Sequence, residues 1–269
     1  MNNEKYILIK PEENCGMCGY IWQTIRGIYH NPNEKYYIDF SNSIYKSGIN
    51  SLNVWDQFFE QPHIEVPPTP EQIKKQVGII FDSESEFIWP AIQPNTPDNI
   101  QKRRQEFNTI INKFIKLKPH IQQKINSFVE NNFKGKRILG VHLRGTDHPE
   151  KKKITEYMQP IKDKLVNYDK LFVCSDDHER FRLAEVAFKH KIISYDSLRS
   201  TKKGIPLHSH PYDSRYFRDN TPEYQYKIAE DVIIEAFLMS NVDFLFCCPG
   251  SNVNYLARAI NSKLECMEL

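Results

Sequence analysis

The sequence has no apolar run that approaches the about 18 residues needed to cross a membrane. It also lacks a charge imbalance, since 36 basic and 34 acidic side chains leave a net charge of +2, so no overall field favours nucleic acid. The first residues do not show the basic and then apolar layout of a secretory signal. We therefore expect a globular cytoplasmic protein with no nucleic-acid partner and no integral membrane segment.

Cysteines are few, and their spacing matches no common metal site. Cys15 and Cys18 form a single CxxC, but a zinc ribbon needs a second Cys or His pair at a suitable distance, and the sequence has none. Three of the other four cysteines lie in apolar, strand-like stretches. This pattern is typical of small core residues in a reducing compartment, and we expect the protein to bind no metal.

Apolar and aromatic side chains, in contrast, are plentiful, at 40% and 12% of the residues, which is enough to form a sizeable core. Apolar segments of strand length alternate with segments of helical periodicity in both halves of the chain. Such alternation predicts parallel sheets covered by helices. A polar break at residues 133–136 separates the halves, so we predict an α/β protein with two Rossmann-like domains, residues 1–134 and 135–269.

The stretch RILGVHLRGTDH, residues 137–148, combines a buried strand with a polar cluster. His142, Arg144, Asp147 and His148 lie at or beyond the end of the predicted strand. Ligands of open α/β sheets bind at the carboxyl ends of the strands, and the planar donors of arginine match phosphate oxygens two at a time. The stretch therefore predicts a site for a nucleotide or a sugar phosphate.

A second predicted strand in the same half ends in a tight turn, which a helix follows. The turn contains Gly250 and Ser251, and Asn252 begins the helix. A glycine-serine turn before a helix directs backbone N–H groups and the positive end of the helix dipole toward a bound anion, and a diphosphate fits this description. The alternative, which the sequence leaves open, is that Ser251 only caps the helix.

Glu235 is a carboxylate within the apolar helical segment IIEAFLMS. An unpaired carboxylate is costly to bury, so one interpretation is that it faces solvent on an amphipathic helix. The other is that it accepts two parallel hydrogen bonds from the N1–H and N2–H₂ edge of a guanine. The pattern alone does not decide between these interpretations.

The segments VHLRGTDH, ITEYM, CSDD and VIIEAFLMSNVDFLFCCPGSN together resemble the three-motif pattern of a group of fucosyltransferases. That group includes the α1,6-fucosyltransferases of N-glycan cores and of nodulation factors, with protein O-fucosyltransferases as more distant relatives. The likeness covers Arg137 to Ile260, and the first half matches only in layout. It implies a GT-B fold, with two Rossmann-like domains facing across a cleft, and an inverting, metal-independent enzyme that transfers fucose from GDP-fucose to a glycan hydroxyl.

The resemblance also implies roles for individual residues in binding the donor. Arg144 would contact the β-phosphate and His142 the nucleotide, while Ser251 and Asn252 would bind the diphosphate. Glu235 takes the place of the base-reading acid of these enzymes, and its interval to Ser251 resembles theirs. The donor substrate is then GDP-fucose, with no separate cofactor.

The catalytic base is less well defined, because the first motif departs from the family pattern. Gly145 and His148 stand where the family commonly has an arginine and a lysine. Glu150, Asp147 and His148 each follow the phosphate-binding arginine and are candidate bases, with Glu150 preferred. Asp177, in the second motif, is expected to shape the nucleotide pocket.

Three alternatives stay open at this stage. The enzyme could use another GDP-sugar, or it could be a metal-dependent hydrolase that uses Asp176 and Asp177. It could also bind a nucleotide sugar without catalysis. The acceptor is not readable, although Trp22, Trp55 and Trp89 are candidates for sugar stacking, with core packing as the commoner role of a tryptophan.

Overall fold

The computed structural model describes most of the chain, namely residues 4–11, 15–46, 53–78, 97–146, 154–201, 207 and 221–268. The chain divides into two compact units. The first contains Met1–Gln122 and His210–Glu230, and the second contains Gln123–Ser209 and Asp231–Leu269. A division into two domains at residue 134 stays a prediction. Within the described ranges, no helix is both long and apolar enough to cross a membrane.

The first unit contains a parallel sheet of three strands in the order β2-β1-β3. The strands are β1 (Tyr6–Ile9), β2 (Tyr36–Ile38) and β3 (Ile73–Val77). Helix α1 (Met17–His30) connects β1 to β2 and is buried along most of its length, which fits its apolar sequence. Helices α2 (Trp55–Phe58) and α3 (Pro97–Phe114) also belong to this unit. The parallel sheet and accompanying helices predicted from the alternation are therefore present in this unit.

The outer edge of β2 is covered by side chains in place of another strand. The Tyr36 N–H donates to His63 Nδ1 at 3.1 Å, and the Ile38 N–H donates to Gln61 Oε1 at 3.0 Å. The side-chain amides of Gln61 and Asn53 donate to the Ile38 carbonyl at 2.8 and 2.7 Å. Because its hydrogen-bonding groups are paired in this way, the edge is not available to a strand from another chain.

The second unit contains a parallel sheet of five strands in the order β6-β5-β4-β7-β8. The strands are β4 (Ile138–His142), β5 (Lys170–Cys174), β6 (Ile192–Ile193), β7 (Phe244–Cys247) and β8 (Glu265–Glu268). The chain moves outward from β4 to β6 and then crosses back to β7. The order therefore reverses between β4 and β7, and such a switch point is where α/β sheets bind ligands.

Helices accompany the strands of the second sheet. They are α5 (Ile154–Leu165), α6 (His178–Phe188) and α8 (Asn252–Ile260), with α4 (Pro119–Asn132) and α7 (Pro222–Met239) each contributing residues to both units. One face of the sheet packs on α5 and α6 through a single apolar cluster that includes Val141, Val173, Ile161 and Phe181. This packing holds the carboxyl ends of β4 and β5 in place.

Protonation of His63 is expected to destabilise the first unit. Burial and the nearby Lys35 lower the pKa of His63 below its ordinary value, so the neutral ring is favoured in the folded state. The stabilisation is complete above the ordinary histidine pKa of about 6.5 and is lost as the pH falls through the lowered value. His63→Gln keeps an acceptor for the Tyr36 N–H but does not titrate.

We therefore expect the melting temperature of the original protein to fall relative to that of His63→Gln between about pH 7.5 and about pH 5. Calorimetry across this range measures the difference, with the exposed His190→Gln as a control. A difference that stays constant with pH would rule out this role of His63.

Candidate functional site

His142 links the carboxyl ends of β4 and β7. It is the last residue of β4 and is 3% exposed. Its Nδ1 lies 2.9 Å from Asn254 Oδ1 and 3.3 Å from Ser251 Oγ. The Asn254 amide is oriented because its Nδ2 donates to the Cys248 carbonyl at 2.8 Å. His142 Nδ1 therefore carries the hydrogen, and in the neutral ring Nε2 bears the lone pair.

The turn after β7 leads directly into helix α8. Gly250 has a φ of +72°, a left-handed conformation that favours glycine, and its N–H donates to the Tyr255 hydroxyl at 2.8 Å. Ser251 occupies the N-cap position, but its hydroxyl lies beside His142 and makes no capping hydrogen bond within the described chain. The first turn of α8, which begins at Asn252, thus lies at the switch point with the positive end of its dipole.

The loop after β4 is held by the carboxylate of Asp176, which follows β5. The Gly145 N–H donates to Asp176 Oδ1 at 2.9 Å, and the Thr146 hydroxyl donates to Oδ2 at 2.6 Å. Arg144 Nε lies 3.9 Å from the same Oδ2. The Arg144 side chain is 19% exposed, so it is oriented by Asp176 and still accessible to an anion.

Asp177 has a structural role beside this loop. Its Oδ1 accepts a hydrogen bond from the Arg180 N–H at 3.0 Å and thereby caps helix α6. A Cβ added at Gly145 would lie 2.5 Å from Asp177 Oδ2 and 2.7 Å from Arg180 Cδ. A larger side chain at position 145 therefore requires the side chains of Asp177 and Arg180 to shift. A contact of Asp177 with the nucleotide stays a prediction.

The two adjacent aspartates, on which the metal-hydrolase alternative rests, serve different elements, and that alternative stays a hypothesis. Asp176 holds the loop after β4, and Asp177 caps α6. Among the residues that the structure describes, no group of three or more His, Cys, Asp or Glu side chains is arranged to hold a metal ion.

Glu235 is buried on α7, with 6% of its surface exposed, so the interpretation of a solvent-facing carboxylate is wrong. Its Oε1 accepts a hydrogen bond from Ser197 Oγ at 2.6 Å, and its Oε2 accepts one from Cys174 Sγ at 3.1 Å. Burial raises the pKa of Glu235 to about 7, although both hydrogen bonds and the positive charge of Arg199 act in the opposite direction.

The loop after β6, residues 194–200, is fastened on both sides. The Leu198 N–H donates to Asp231 Oδ2 on α7 at 2.9 Å. Arg199 donates to the carbonyl of Ser197 at 3.1 Å, and its guanidinium lies 3.7 Å from the centre of the Phe181 ring on α6. These contacts fix the position of Ser197, and through it the carboxyl group of Glu235.

The structure describes some of the other predicted site residues and not the rest. Asp147, His148 and Glu150 lie outside the described residues, so their role as candidate bases stays a prediction. Trp22 and Trp55 are in the core, at 8% and 0% exposure, so the hypothesis that a sugar stacks on either ring is wrong. Trp89 lies outside the described residues.

Sequence reasoning missed Asn254, Cys174 and Ser197 as parts of the site. The sequence could have indicated Asn254, because it follows Ser251 by three positions and so lies near it in the first turn of α8. Cys174 is the last residue of an apolar strand and looks like an ordinary core residue. Ser197 contacts a residue 38 positions away in the chain, and no local pattern indicates such a contact.

No protein-family model matches the chain, and no curated protein sequence matches it significantly. Solved structures do resemble it. Fucosyltransferase NodZ from Bradyrhizobium is 17% identical over 95% of this chain and 93% of its own, with a TM-score of 0.57. NodZ α-1,6-fucosyltransferase soaked with GDP-fucose gives 17% identity, coverage of 96% and 92%, and a TM-score of 0.53.

A plant enzyme shows the same likeness. An Arabidopsis thaliana FUT1 variant in complex with GDP is 10% identical over 99% of this chain and 70% of its own, with a TM-score of 0.56. At such identities the likeness shows the fold. It confirms the predicted α/β fold of the GT-B class and the predicted resemblance to fucosyltransferases at the level of structure.

Substitution of Gly145 by alanine is expected to displace the loop that carries Arg144. The added Cβ would overlap Asp177, and overpacking of this kind costs about 1–3 kcal/mol. Urea unfolding measures the loss. Gly78→Ala is the matched control, because among the described residues its Cβ would meet the Lys10 carbonyl oxygen alone, at an ordinary contact distance of 3.4 Å. Equal stability of the two variants would contradict the close contact at Gly145.

Substitution of Glu235 by glutamine is expected to remove a pH-dependent cost of folding. The raised pKa of Glu235 means that its contribution to stability is present below the ordinary value of 4.5 and is lost as the pH rises through about 7. The glutamine variant does not ionise. We therefore expect it to gain about 3 kcal/mol relative to the original protein between about pH 5 and about pH 8.5. Urea unfolding at several pH values measures this gain, and a constant difference would contradict the burial of the charge.

Proposed function

We propose that the protein is an inverting glycosyltransferase that transfers fucose from GDP-fucose to a glycan hydroxyl without a metal ion. The observation that carries the proposal is the cluster of His142, Ser251 and Asn254 at the switch point of the second sheet and at the N-terminus of α8, with Arg144 two residues after His142 in the chain. The shared fold supports it, since NodZ structures include one co-crystallised with GDP and one soaked with GDP-fucose.

The main requirement of the reaction is that the protein stabilises the leaving group. An acceptor hydroxyl attacks the anomeric carbon of fucose, the bond to the β-phosphate oxygen breaks, and negative charge develops on the departing GDP. In this proposal Arg144 and the backbone amides in the first turn of α8 stabilise that charge. A guanidinium and a helix N-terminus together supply the positive potential that a divalent cation supplies in other transferases.

The remaining roles are those that the resemblance to fucosyltransferases implies. His142, with its hydrogen on Nδ1, offers Nε2 as an acceptor to a hydroxyl group of the nucleotide. Ser251 and Asn252 bind the diphosphate with Gly250. Glu235 accepts hydrogen bonds from the guanine edge.

The acceptor hydroxyl must lose its proton as it attacks. Glu150, which follows the phosphate-binding arginine by six residues, is the preferred base, with Asp147 and His148 as alternatives. A GDP-sugar other than GDP-fucose would present the same nucleotide, so the sugar is tested separately, with GDP-mannose as the competing donor.

Release of GDP from GDP-fucose, with water as the acceptor, tests the proposal without knowledge of the glycan. We expect turnover that EDTA does not reduce. Arg144→Ala should weaken GDP binding by about 10- to 100-fold, the value of a hydrogen bond to a charged group, as measured by calorimetry. Arg137→Ala is the control, because Arg137 precedes the opposite, amino end of β4 and stacks on Tyr168 at 4.9 Å.

Two results would overturn the proposal. One is that UDP binds as tightly as GDP, and the other is that EDTA abolishes turnover and a divalent cation restores it. Faster turnover of GDP-mannose than of GDP-fucose would instead reassign the sugar and leave the nucleotide unchanged.

A further inference from the structure

The carboxyl group of Glu235 is held by donors from two separate elements. Cys174 ends β5, and Ser197 lies in the loop after β6. Their side chains donate to different oxygens of Glu235, at 3.1 Å from the thiol and 2.6 Å from the hydroxyl. All three residues are buried, with exposures of 2%, 7% and 6% for Cys174, Ser197 and Glu235. The carboxyl group therefore has little freedom to rotate.

This arrangement leaves part of the carboxylate's accepting capacity unused by these two donors. An ionised carboxylate accepts about four hydrogen bonds, two at each oxygen. The thiol and the hydroxyl supply one donor to each oxygen. Both oxygens therefore keep a lone pair, and a fixed pair of acceptors suits a ligand edge with two parallel donors.

We infer that Cys174 and Ser197 are positioning residues that fix the Glu235 carboxylate for two parallel hydrogen bonds to a purine edge, and that they thereby set a preference for guanine over hypoxanthine. This inference rests on the proposed function. Guanine presents N1–H and N2–H₂ along one edge, whereas hypoxanthine lacks the amino group. A carboxylate that rotated freely would lose much of this discrimination, because it would not hold both oxygens toward the edge.

The charged groups around Glu235 determine how the preference depends on pH. Arg199, in the loop after β6, favours the carboxylate, and Asp231, one turn earlier on α7, opposes it. From β5, burial raises the pKa of Cys174 well above its ordinary value, so the thiol stays protonated and keeps donating; Asp176 and Glu235 act on it in the same direction. The two bonds to the purine need the ionised carboxylate, so the preference for guanine must increase as the pH rises through about 7.

The experiment measures the ratio of the dissociation constants of IDP and GDP by calorimetry from about pH 6 to about pH 8. The diphosphate and ribose are identical in the two ligands, so their titration cancels in the ratio. For the original protein we expect the ratio to reach about 10 at the upper pH, the value of one hydrogen bond to a charged group. Glu235→Gln should give a small ratio that does not change with pH.

The variants of the two donors separate positioning from simple stabilisation. Ser197→Ala and Cys174→Ala each remove a bond that favours the carboxylate, so each should lower the ratio and move its midpoint to higher pH. Cys174→Ser keeps a donor and should restore both values. Ser240→Ala, at a buried serine directly after α7, and Cys18→Ala, at a buried cysteine of the first unit, should leave the ratio and its midpoint unchanged.

Each outcome has a defined meaning. If GDP binds and GDP-fucose turns over, but the ratio stays near 1 at every pH, the inference is wrong and the proposed function stands. If Ser197→Ala and Cys174→Ala lower the melting temperature without moving the midpoint, both residues only stabilise the fold. If neither GDP nor IDP binds, the proposed function and the inference both fail.

Discussion

The hydrogen bonds of the buried His142 ring determine how the candidate site is built. A buried imidazole N–H needs an acceptor, and Asn254 and Ser251 lie within reach of it. These bonds connect the end of β4 to the first turn of α8, across the point where the order of the strands reverses. The position of the helix N-terminus, and with it the positive potential of the site, therefore depends on a bond between residues more than a hundred positions apart.

Buried or partly buried carboxylates hold the neighbouring loops in position in the same way, by hydrogen bonds. Asp176 holds the loop after β4, Asp231 holds the loop after β6, and Glu235 joins that loop to β5. Each accepts hydrogen bonds from backbone or side-chain donors of the segment that it holds. Glu235 and Asp231 are both buried, with 6% and 3% of their surface exposed, and burial is costly for an ionised group. It raises the pKa of Glu235 to about 7, a perturbation that is typical of functional positions.

The central strands of the second sheet were predictable because β4, β5 and β7 are continuous apolar runs. The apolar run at residues 77–82 predicts another strand, but residues 79–82 lie outside the described residues. Strands β3 and β8 were not predicted, because their mostly polar and exposed side chains give no apolar pattern. Of the site, Arg144 and Ser251 follow from local chemistry at strand ends. The partners of Glu235 do not, because they depend on which distant elements the fold brings together.

A crystal structure of the protein with GDP would test most directly whether the switch point of the second sheet is the nucleotide site. We expect the β-phosphate within hydrogen-bonding distance of Arg144 and of the backbone amides that begin α8, with the guanine edge on Glu235. GDP bound in the first unit, or with its diphosphate away from α8, would contradict this assignment of the site.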